Sequence, residues 1–101
     1  MNGVPPRAVL EAHLDRTVHL IGGDGRGVAA DLVGVHSGAA LDATYECYIA
    51  ELRLPAGLRL EQGIYHFALD EQRVWPILFA PARPDREGHG RMEAVFHIRK
   101  E

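Results

Sequence analysis

The side chains of this chain best equipped for chemistry are its histidines, His13, His19, His36, His66, His89 and His97, six in 101 residues. A metal held from a helix needs the H-E-x-x-H spacing, which puts two imidazoles on one face, and no pair here has it. Two ligands on one strand need a two-residue spacing, and no two histidines stand two apart. His66 and His97 can still become neighbours across a sheet, with Glu93 on the same strand face as His97. These three are the candidate metal or acid–base cluster. The competing reading is a set of solvated strand histidines.

Other chemistry finds less support. Gly22-Gly23-Asp24-Gly25-Arg26-Gly27 has no G-x-G-x-x-G register, and a strand follows it where a phosphate loop requires a helix N-terminus. It reads as a hairpin turn. Asp24 lacks the alternating oxygen ligands of a calcium loop. Serine occurs once, at Ser37, outside any G-x-S-x-G elbow, and its neighbour His36 points to the opposite face of an extended chain. The single cysteine, Cys47, excludes an internal disulfide and any multi-thiolate metal site, and its apolar setting reads as a small buried residue. Carboxylates are scattered, with no pair placed for acid–base work. The expectation is a protein that is not an enzyme and needs no cofactor.

Composition narrows the partners. Apolar residues make up 47% and charged residues 25%, the balance of a globular domain, with a formal net charge of −3. There is no basic excess for nucleic acid, since Arg83 and Arg86 alternate with Asp85 and Glu87. The basic set is ten arginines and Lys100. No apolar run approaches the ~20 residues that span a bilayer. Met1 to Pro6 lacks the charged and apolar regions of a secretory signal, so a cytoplasmic location is expected.

The elements that must position these residues are mostly strands. Residues 6–14 predict a short helix, with Val9, Leu10, His13 and Leu14 on one face and proline in the first turn. Period-two alternation predicts strands over 17–22, 26–36, 45–53, 63–69, 73–80 and 91–99. The alternation of Val28, Ala30 and Leu32 blurs at Val33 and Gly34. Ser37 to Ala43 is a small-residue loop, and Leu54 to Gln62 a longer connection whose leucines pack down. Pro76 cannot donate to a ladder, so its strand is an edge or carries a bulge. Residues 1–101 therefore form one all-β domain, a small antiparallel six-stranded barrel or curled sandwich, with the helix laid over an open end.

Three segments carry a resemblance: His13-Leu14 before Thr17-Val18-His19-Leu20, the run Leu60-Glu61-Gln62-Gly63-Ile64-Tyr65-His66-Phe67, and Gly90-Arg91-Met92-Glu93-Ala94-Val95-Phe96. Together they resemble a bacterial family of all-β proteins of about this length, catalogued as a domain of unknown function, from about residue 10 to residue 97. Asp15 stands where that family often has glycine, and His97 where it often has asparagine. The resemblance implies an accessory protein of the assembly, adaptor or chaperone kind, associated with phage-tail-collar-like or other secreted fibre proteins. Independently, Gln62, Gly63 and Tyr65 read as a structural motif in which glycine permits a bend, tyrosine anchors the strand and glutamine bonds exposed backbone.

The functional expectation is a non-enzymatic domain that binds another protein or a copy of itself. Edge pairing would be supplemented by an aromatic patch of Tyr48, Trp75 and Phe79. A barrel binding a small ligand or metal through His66, Glu93 and His97 is the alternative.

Overall fold

The computed structural model describes residues 4–39 and 43–99, which leaves Lys100 and the middle of the expected Ser37–Ala43 loop outside the described residues. One helix, α1 (Arg7–Ala12), precedes six strands: β1 (Thr17–Ile21), β2 (Gly27–Ser37), β3 (Tyr45–Ala56), β4 (Gly63–Ala68), β5 (Val74–Ala82) and β6 (His89–Arg99). Every neighbouring pair is antiparallel, and the order β1-β2-β3-β6-β5-β4 closes on itself as a barrel. No helix among the described residues is long and apolar enough to cross a membrane.

Alternation builds the wall. Val18 and Leu20, Ala30 and Leu32, Tyr48, Ala50 and Leu52, Phe67, Phe79, Met92, Ala94 and Phe96 point inward and are buried. Each large side chain so buried contributes about 1.5–3 kcal/mol. Tyr48 stacks on its cross-strand partner Phe96 with ring centroids 5.1 Å apart, and Phe67 meets Phe79 edge-on at 5.4 Å. Where the sequence alternation blurs, the β2–β3 register shifts between Leu32 and Gly34, so Val33 is the extra residue of a bulge. β3 runs on to Ala56, beyond the expected end, because a second shift between Arg53 and Ala56 absorbs Pro55.

Two three-stranded meanders, β1–β3 and β4–β6, meet along β3·β6 and β1·β4. The connection from β3 to β4 crosses a barrel end and passes so close to β6 that a Cβ at Gly90 would stand 2.8 Å from the Leu58 carbonyl oxygen. The turns repeat one device. Asp24, Asp70 and Asp85 each accept a backbone N–H from two residues on, at 2.9, 2.9 and 3.0 Å.

The helix is too short to stand alone and is held by what it buries. Leu10 is fully buried in the core, and the segment before it is tied down by Tyr48, whose hydroxyl donates to the Pro5 carbonyl at 2.6 Å. Burial raises the Tyr48 phenol above its ordinary value, with Glu46 adding to the effect and Arg7 opposing it.

Candidate functional site

The sequences of β4, GIYHFA, and β5, VWPILFAPA, contain no Asp, Glu, Lys or Arg. In an antiparallel barrel the outward positions meet water and are ordinarily polar. Here they are Ile64 and His66 on β4, and Val74, Pro76, Leu78 and Ala80 on β5. Ile64 is 69% exposed, Leu78 56%, Val74 42%, and Val95 on β6 52%. The charges of the wall lie elsewhere, on β2, β3 and β6: Arg53 pairs with Asp31 at 3.6 Å, and Arg91 with Glu51 at 3.3 Å.

Register arranges these side chains in rows across the strands. Ile64 faces Leu78, and His66 faces Pro76. β5 pairs with β6 only from Ala80↔Glu93 to Ala82↔Arg91, and beyond Ala80 toward Val74 the two strands part. Continuing that register places Leu78 in line with Val95 and Pro76 in line with His97. A groove of about 290 Å³ occupies the gap, lined by Val4, Pro76, Ile77, Leu78, Ala80, Glu93, Val95 and Phe96. The surface is thus an apolar row, Ile64–Leu78–Val95, flanked on one side by Glu93 and on the other by His66 and His97. The side chains of Glu93 and His66 make no ion pair or hydrogen bond with other described residues, whereas Glu51 beyond Glu93 is taken up by Arg91 and lies 3.9 Å from His36.

The parting of β5 from β6 gives Pro76 its physical explanation. Over Val74–Phe79, β5 has β4 as its one strand neighbour, and the missing N–H sits in an edge-like stretch. Barrel closure pairs most of the strand length among the described residues but leaves this stretch of β5 without a β6 partner.

The aromatic patch expected of Tyr48, Trp75 and Phe79 is not formed on the surface. Tyr48 and Phe79 are wholly buried, because both lie at inward positions of their strands, and Trp75 is half-buried against the same core. The surface is aliphatic instead. His66, Glu93 and His97 are not gathered into one cluster, since β5 and the groove separate His66 from the other two. Among the described residues no group of three or more His, Cys, Asp or Glu is placed to hold a metal ion. His97 instead lies with Nε2 3.4 Å from the Ala39 carbonyl oxygen. Of the structural motif, Tyr65 donates its hydroxyl to the Glu61 carbonyl at 2.6 Å, Gly63 lies 3.9 Å at its would-be Cβ from the Tyr65 ring, and Gln62 is exposed.

Ile64, Val74, Leu78 and Val95 are the residues that sequence reasoning passed over. The signal was present in β4 and β5, which are uncharged at both strand phases where an alternating hairpin should be polar at one.

The chain belongs to the family described as domain of unknown function DUF6916, whose model matches residues 6–96. No curated protein and no solved structure matches it.

Proposed function

We propose that the domain is a non-enzymatic protein-interaction module of the assembly or adaptor kind. Its contact surface is the outer face of β4 and β5 with the adjoining edge of β6. One observation carries the proposal: an uncharged two-stranded ribbon turns Ile64, Val74 and Leu78 to solvent beside a stretch where, among the described residues, β5 and β6 do not pair. Isolated exposed aliphatics are normal on a monomer, but a contiguous row on a charge-free ribbon is the composition of an interface centre. The accessory role beside phage-tail-like or secreted fibre proteins in bacteria is part of this proposal, as is action in the cytoplasm.

The test is affinity capture of the tagged chain from its host, alongside the double variant Ile64→Lys, Leu78→Glu, with circular dichroism to establish that both are folded. A protein, or untagged copies of the chain itself, retained by the wild type and lost from the variant supports the reading. Equal retention by both overturns it, as does a strictly monomeric wild type that retains nothing.

A further inference from the structure

We infer that the partner of this face is a second copy of the chain, related by a two-fold axis lying along the Ile64–Leu78–Val95 row. The inference rests on the interaction reading above and specifies its occupant. Two identical faces packed against each other are related by an axis in the plane of contact, so each side chain meets the image of its own surroundings. An axis along the row turns the surface over about the row itself. Leu78 then meets the partner's Leu78, and the flanks exchange. Glu93, which has no ion-pair partner among the described residues, is set against the partner's His97, while Ala80 meets the partner's Pro76.

What Glu93 faces chooses between the two axes that the strand geometry offers. The alternative axis, along β5, would stack His66 on the partner's His97 and leave both Glu93 side chains without a facing imidazole. The row axis gives each copy two carboxylate–imidazole contacts at the rim of an apolar centre. That is the anatomy of a specific interface, with fully desolvated aliphatics inside a polar border. The stretches of β5 and β6 that do not pair with each other lie beneath this contact, beside Val4, and a second copy covers them.

The test replaces Leu78 in the full chain with photoreactive benzoylphenylalanine and irradiates the producing cells. A crosslinked product of twice the chain mass supports the inference. A product with the mass of a different protein overturns self-pairing and leaves the interaction reading standing. No product of either kind overturns both. Charge exchange then tests the axis by sedimentation: Glu93→His and His97→Glu each weaken the dimer, on the order of tenfold, and the double variant restores it. Single variants that weaken the dimer without restoration by the double variant overturn the row axis.

Discussion

Ile64 and Leu78 face each other across the β4–β5 ladder, both turned to solvent, while Phe79, the next residue along β5, is wholly buried. Adjacent positions of one strand thus separate stability from surface function. Leu78→Glu is expected to change unfolding free energy by no more than about 0.5 kcal/mol, as surface substitutions do. Phe79→Ala is expected to cost about 3–5 kcal/mol. Urea unfolding of the two variants, at a concentration too low for self-association, checks this, and a large loss from Leu78→Glu there would mean that the side chain packs within its own chain.

The Tyr48–Pro5 hydrogen bond fastens the start of the chain to the barrel. Tyr48→Phe leaves a buried carbonyl without its donor and should cost about 1–3 kcal/mol, with faster amide exchange over residues 7–10. The pH dependence has a definite sign. Because the folded phenol is raised by burial, stability is fully present below the ordinary tyrosine value, about 10, and is lost as pH rises through the folded value. Tyr48→Phe should shrink this alkaline loss. A remainder is expected from Tyr65, which burial and then Glu61 raise in the same direction.

At the acid end the β4–β5 turn is the sensitive element. The Arg73 side chain holds the Asp70 carboxyl below the ordinary aspartate value, helped by the backbone N–H groups of Gln72 and Arg73. The Arg73 Nε and Nη2 atoms lie 2.8 and 2.7 Å from Oδ2. A lowered value means stability present above the unfolded value and lost as pH falls through the folded one. Asp70→Asn should therefore flatten the acid limb of a stability–pH profile below about pH 4. An unchanged limb would place acid sensitivity at Asp85. There burial acts to raise the carboxyl, but the N–H groups of His89 and Glu87 and the charges of His89 and Arg91 lower it on balance.

Asp15 has a φ of 65°, in the left-handed region that glycine occupies without strain. Its backbone N–H still donates to the Leu32 carbonyl at 2.7 Å, which any residue can do. Asp15→Gly should raise stability by roughly 0.5–1 kcal/mol, read as a higher thermal midpoint. A loss would show that the aspartate side chain supports the turn.

The barrel was legible because its signals are local. Met92, Ala94 and Phe96 alternate, Gly22–Gly27 is a turn by composition, and the blur at Val33 is a bulge. The β3 extension through Pro55 was not legible, because a bulge admits a proline that a regular ladder rejects. Burial phase was the harder quantity. Cys47 and Tyr48 are adjacent and both buried, one inward and one outward beneath Gly38, where a Cβ would lie 2.6 Å from Sγ. Alternation alone does not say which phase of β5 faces the core, so Phe79 read as a surface candidate while Leu78 went unnoticed. The distance between His66 and His97 was beyond the sequence altogether, since it depends on β5 lying between them and on the strands parting there.

Sedimentation equilibrium of the wild type and of Leu78→Glu, at submillimolar concentration and neutral pH, tests most directly whether the β4–β5 face is an interaction surface used by a second copy. The wild type should sediment with twice the chain mass and dissociate on dilution, and the variant should remain a folded monomer. A wild type that is monomeric throughout, or a variant that dimerises as the wild type does, would contradict self-pairing through this face.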